Sequence, residues 1–167
     1  MTAAAAGPAW SRRGWMRFAG ASAGLLVLRP AWSGPPPTFP FQAEVLEEGL
    51  FETTVNGQRT LRLVDSTRAV TALRGTTFGF RYRLSALPGR HVPGFMMRVV
   101  HPPLRNPGGG KPRTARSVPH FIEAEHGLAE GLIVFTVGEP ADVKPGRWTL
   151  QLLYRGGVVL SREFVLK

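Results

Sequence analysis

The segment that most constrains the fold is 145–166, PGRWTLQLLYRGGVVLSREFVL. Pro145-Gly146 marks a turn, after which Trp148, Leu150, Leu152 and Tyr154 alternate with Thr149, Gln151, Leu153 and Arg155. A period of two sets a large apolar residue on one face at every second step, the pattern of a half-buried strand. Gly156-Gly157 then supplies two residues able to take positive φ, as a tight hairpin turn requires. The chain returns through Val158, Leu160, Phe164 and Leu166. A lone hairpin is not stable in water, so the rest of the chain must cover its apolar face.

Upstream segments supply the cover. In 75–84, Phe78, Phe80, Tyr82 and Leu84 point one way, while Gly79, Arg81 and Arg83 point the other. That second face needs water or acidic partners, since an unpaired buried guanidinium is costly. Residues 95–100, FMMRVV, are apolar on both faces apart from Arg98 and predict a more central strand, ended by Pro102-Pro103. A first strand region is expected over 41–55, interrupted near Glu47-Glu48-Gly49. Asn56-Gly57 reads as a hairpin turn answered by 60–64. Segments 118–125 and 131–137 predict a further pair, and 104–116 a long polar loop. Glycine and proline make up 35 of the 167 residues, spread as punctuation, which suits short strands better than helices. The expectation is an all-β, immunoglobulin-like antiparallel sandwich of about seven or eight strands over 41–167. A closed barrel is the architectural alternative. Its predicted core is Phe78, Phe80, Tyr82, Leu84, Trp148, Leu150, Leu152, Tyr154 and Phe164.

The N-terminus reads as an address. SRRGWMR at 11–17 precedes a mild apolar run at 18–28, then Arg29 and the small residues Ala31 and Ser33. These are the parts of a signal peptide, here 1–33, and the run is too short to span a bilayer. The Arg12-Arg13 pair resembles a twin-arginine signal; a general secretory signal is the alternative, and a start at Met16 would remove the pair. Residues 34–40, GPPPTFP, cannot join a sheet ladder and read as an extended linker. A periplasmic or secreted protein is expected, with no membrane span after cleavage.

The segments GTTFGFRYRL, RVVHPPLRNPGGGK and VKPGRWTLQLLYRGGVVLSREFVL together resemble an uncharacterised family of small bacterial proteins, a domain of unknown function. The resemblance runs from about Phe41 to Leu166. Its most specific pieces are the His101-Pro102-Pro103-Leu104 corner and Pro145-Gly146-x-Trp148. It implies a β-sandwich in the cell envelope and brings no activity and no catalytic residue. The GGGKPRTAR loop is more basic here than the family pattern suggests.

Searching for chemistry narrows the field. There is no cysteine, which excludes disulfides, thiol nucleophiles and thiolate metal sites. NPGGGKP lacks a phosphate loop's first glycine and its Ser or Thr, having Arg105 and Pro112 there. His91, His101, His120 and His126 offer no H-x-x-x-H or H-x-H spacing, so neither metal nor other cofactor is expected. His120 and His126, if on one strand, lie about 20 Å apart, and His101 reads as a corner residue bonding nearby backbone. Ser66, Ser85, Ser117 and Ser161 lack a nucleophile elbow. Glu123, Glu125 and Glu130 are the carboxylates an enzyme would use, but read first as solvated surface.

Charge supplies the remaining candidate. Without Arg12, Arg13, Arg17 and Arg29, 17 basic side chains face 11 acidic ones. Arginine dominates, as in the codon usage of a GC-rich genome, so solvated faces explain most of it. Arg105, Lys111, Arg113 and Arg116 cluster within twelve residues and form the candidate binding surface, with a plain solvated loop as the alternative. No aromatic is interleaved there to stack on bases, so nucleic acid is not expected. The functional expectation is an exported, non-enzymatic binding or structural module of the envelope. Its partner would be an envelope protein or, through 105–116, an anionic polymer; a hydrolase with dispersed site residues is the competing class.

Overall fold

The structure, a computed structural model, describes residues 38–55, 59–106, 108–138 and 143–167. The segment read as a signal peptide, 1–33, and the turn expected at Asn56-Gly57 lie outside the described residues. In chain order the strands are β1 (Gln42–Val55), β2 (Arg59–Asp65), β3 (Ala69–Val70), β4 (Thr77–Ser85) and β5 (Phe95–Leu104). They continue with β6 (Arg113–Pro119), β7 (Ala129–Thr136), β8 (Gly146–Tyr154) and β9 (Gly157–Leu166). One sheet has the order β2-β1-β4-β7 and the other β3-β9-β8-β5-β6. Neighbours run antiparallel apart from β3 and β9. The strand that the sequence reading did not anticipate, β3, is two residues long, too short to show any period in sequence.

All nine predicted core residues are buried between the sheets, and no described polar or charged residue is. The rings gather at two poles. At one, Trp148 meets Phe135 at 4.8 Å and Phe78 at 6.3 Å, while Phe78 meets Phe164 at 5.1 Å. At the other, Tyr154 meets Phe95 at 4.8 Å and Phe41 at 5.2 Å. Phe39, within the stretch read as linker, stacks on Phe41 there and packs over Gly157. Burying each such side chain contributes about 1.5–3 kcal/mol. Trp148 also satisfies its one polar atom, Nε1 donating to the Lys144 carbonyl at 3.0 Å. The chain thus enters β1 at the Tyr154 pole. It leaves β9 at the Trp148 pole, where Lys167 N–H donates to the Val70 carbonyl at 2.9 Å.

Bulges account for several differences from the sequence reading. Glu47-Glu48-Gly49 does not interrupt β1, which runs on for 14 residues. The register shifts between Val45 and Glu47 and again between Leu50 and Phe51. Gly49 takes φ +144°, and a Cβ there would overlap the Asp65 carbonyl. The first shift leaves both Glu44 and Glu47 on the outer face, opposite Arg83 and Arg81, and turns Glu48 inward opposite Phe80. In the last hairpin the positive-φ pair is Arg155 (+48°) and Gly156 (+86°), so Gly157 already belongs to β9. A shift at Leu152/Leu153 leaves Val159 as the extra residue and puts Arg162 opposite inward-facing Leu150.

Two further expectations are corrected. Residues 118–125 do not pair with 131–137. β6 ends at Pro119 and pairs with β5, whereas β7 pairs with β4 in the other sheet. The polar loop is shorter than 104–116, because Arg113 already opens β6, and β5 runs through Pro102-Pro103 to Leu104. The ladder skips the two prolines, which have no N–H to give, and resumes at Leu104 opposite Arg113.

Candidate functional site

The basic hairpin joins β5 to β6, and its base is pinned. His101 Nδ1 donates to the Pro102 carbonyl at 2.9 Å, with its ring 5.2 Å from that of Trp148. Lys144 Nζ donates to the Pro103 carbonyl at 2.7 Å. At the tip Gly109 N–H donates to the Asn106 carbonyl, and Gly109 and Gly110 take φ +79° and +87°, conformations open to glycine.

Arg105, Lys111, Arg113 and Arg116 are all exposed, but the structure does not bring them into one cluster. Arg105 and Lys111 lie in the loop and Arg113 on the first rung of β6. Arg116 sits opposite Val99, whose side chain is buried, and so turns toward the inner side of the sheet. There it lines a slot with Met97, Val118 and Phe135. Among the described residues none of the four makes an ion pair.

Several other arginines are paired. On the outer face of the four-stranded sheet Arg83 donates to Glu130 at 2.7 Å and to Glu44 at 3.2 Å, spanning three strands. The hydrogen bond that Arg83 donates to Glu130 is the main cause of its raised pKa. Arg81 donates to Glu47 at 2.7 Å and to the Leu61 carbonyl at 3.1 Å. At the sandwich edge Glu48 takes Arg68 on one oxygen at 2.6 Å. Arg162 Nε lies 2.7 Å from the other, off the hydrogen-bond direction, and both those atoms are buried without any other partner. Arg147 lies 3.5 Å from Glu163.

A second concentration of polar groups lies where 120–128 crosses the Tyr154 pole. His120 and His126 do not share a strand: His120 turns inward, while His126 (φ +51°) is an exposed turn residue. Tyr82 Oη and His120 Nε2 are 2.7 Å apart. Burial lowers the His120 pKa and raises that of Tyr82. The phenol reaches His120 across Gly131, where any Cβ would overlap it. Glu123, Glu125 and Glu130 line one open hollow of roughly 690 Å³ with Arg83, Arg90 and His126. All three acids are exposed, and Glu130 is taken up by Arg83. No group of three or more His, Asp or Glu is placed to hold a metal ion among the described residues.

The Tyr82–His120 contact escaped sequence reading because it joins residues 38 apart through a glycine. The 92 % exposed Phe121 escaped it too, since an isolated aromatic reads as core.

Two stacked sheets, antiparallel but for the short β3, with a filled apolar interior and charged outer faces, define an immunoglobulin-like β-sandwich. A solved structure described as an immunoglobulin-like protein from Pseudomonas aeruginosa is similar, with TM-score 0.58 and 21 % identity, covering 76 % of this chain and 96 % of that one. The family model described as "Domain of unknown function (DUF3859)" matches residues 42–166, and the chain belongs to that family. No curated protein matches the sequence.

Proposed function

We propose that the protein is an exported, non-enzymatic module of the cell envelope that engages an anionic polymer through the β5–β6 hairpin. The supporting observation is density of unpaired charge. Arg62, Arg74, Arg90, Arg98 and Arg155 also lack an acidic partner among the described residues, but they are scattered, whereas the hairpin carries four such cations within twelve residues. Guanidinium groups of Arg105 and Arg113 at the pinned base, with the Lys111 ammonium beside the glycine-rich tip, are spread along the hairpin and suit repeated phosphate or carboxylate groups better than one enclosed ligand. The export half of the reading rests on the features of 1–33. The module reading is favoured over a hydrolase because Glu123, Glu125, Glu130 and His126 stand around an open hollow rather than converging in an enclosed pocket.

The test is binding of the full chain to polyphosphate and to polyglutamate over a salt series. Affinity should fall steeply with salt, since exposed charges are screened beyond about 8 Å at physiological ionic strength. Replacing Arg105, Lys111, Arg113 and Arg116 together by glutamine should abolish binding and change stability by less than about 1 kcal/mol. Binding that survives both would overturn the hairpin as the contact surface. Recovery of the unprocessed chain from the cytoplasm, with none in the envelope, would overturn export.

A further inference from the structure

The four sheet edges are not protected equally. In the five-stranded sheet, β6 is preceded by Pro112, ends in Pro119 and turns Arg116 inward, three features that obstruct an added strand. β3, at the other edge, is two residues long. In the four-stranded sheet, β2 carries Arg59, Arg62 and Asp65. β7 has the fewest of these features, its one charge being Glu130 near the start. It reads AEGLIVFT, holds no proline or cation, is uncharged from Gly131 to Thr136, and pairs with β4 over eight rungs without a bulge.

Its open side can be specified residue by residue. Val137, just past the strand, gives its N–H to Thr76 at 2.9 Å and receives Gly75 N–H at 2.6 Å. Backbone direction alternates along an antiparallel strand, so the odd-numbered residues of β7 bond toward β4. Glu130, Leu132, Val134 and Thr136 therefore direct N–H and C=O to the free edge, where β7 has no neighbouring strand among the described residues.

We infer that β7 pairs with β7 of a second copy across a two-fold axis near Ile133, joining two four-stranded sheets into one of eight strands. This surface is separate from the basic hairpin and does not depend on that reading. Two rules restrict the register, and side-chain fit selects within them. Facing residues must lie on the same side of the sheet, because a one-residue slip would expose the inward set Ala129, Gly131, Ile133 and Phe135. The residues exchanging backbone bonds must be the even-numbered ones. Leu132 opposite Val134 of the second copy meets both rules. It also sets Phe135 over Gly131, filling the space beside a residue with no side chain, and Glu130 opposite Thr136, so no like charges face each other. An isologous contact of this kind closes after two copies.

Sedimentation of the full chain over a concentration series should show a monomer–dimer equilibrium. Leu132→Lys, a gatekeeper charge, and Val134→Pro, which removes one free N–H, should each weaken it at least about tenfold. With no native cysteine, Glu130→Cys combined with Thr136→Cys gives a register probe. Within one copy the pair is about 20 Å apart. Across the axis it sits about 5.5 Å apart between Cα atoms, within disulfide reach. Mild oxidation should produce a reducible covalent dimer. A chain that stays monomeric, or a dimer that survives both edge variants and does not cross-link, would overturn the inference. If Val134→Pro fails to fold, Leu132→Lys and the cross-link decide.

Discussion

Tyr82 Oη and His120 Nε2, 2.7 Å apart, tie the middle of a core strand to the segment that crosses the end of the sandwich. Tyr82 itself is 1 % exposed. The bond thus gives a buried phenol its partner and holds the start of 120–128 against the sheet.

This pair should limit stability at both ends of the pH scale. His120 has a lowered pKa, so as pH falls below about 6.5 the unfolded chain takes up a proton that the folded chain resists, and stability is lost. Tyr82 has a raised pKa, so above about pH 10 the unfolded chain releases a proton that the folded chain keeps, again at a loss. Urea unfolding across pH should show both limbs. His120→Gln should flatten the acid limb, and an unchanged acid limb in that variant would count against the assignment.

Gly131→Ala should destabilise by about 1–3 kcal/mol, because the added methyl overlaps the Tyr82 ring and must displace it. The same displacement breaks the bond to His120. Because burial and not this bond lowers the His120 pKa, the acid limb should persist while stability falls at every pH, and an unchanged stability would show the Tyr82 ring free to move aside.

Trp148→Ala should cost about 3–5 kcal/mol by chemical denaturation. Trp148 is fully buried, and its removal strips contacts from Phe78, Phe135 and His101 at once. A loss under about 1 kcal/mol would mean that pole can collapse into the space.

Glu48→Ala should cost about 1–2 kcal/mol, between the values for exposed and buried pairs, since it strands inward-facing Arg162. Replacing Glu48 and Arg162 together by methionine and leucine should recover most of that loss, because no lone charge then remains. A double variant no better than Glu48→Ala would show the pair to be a net stabiliser.

The parts of the fold legible in sequence were those with an unbroken period. β4 and β8 alternate without a shift across their buried faces, and their eight core residues are buried as their period predicts. Where a bulge intervenes the period breaks. Glu44 and Glu47 share a face three residues apart, and Arg162 turns inward, neither of which a period of two predicts. The boundary of β6 was hidden for another reason. Arg113 and Arg116 look like loop residues because an edge strand tolerates charge that a central strand would not. The hairpin cations were legible as a run of charge. Their division between loop and inner sheet face was not, because it depends on the pairing of Arg116 with Val99.

The two ends of the sandwich chain lie at opposite poles, Phe39 beside Tyr154 and Leu166 beside Gly146, with β9 held between β3 and β8. Tension applied between those ends runs along the strands, perpendicular to the inter-strand bonds. The rungs on both sides of β9 would then be sheared together rather than unzipped one at a time. A domain strung this way is suited to bearing a mechanical load. Pulled from Phe39 and Lys167 in a force spectrometer, it should yield at a higher force than when pulled from Lys167 and Gly146, which open the same hairpin from one end.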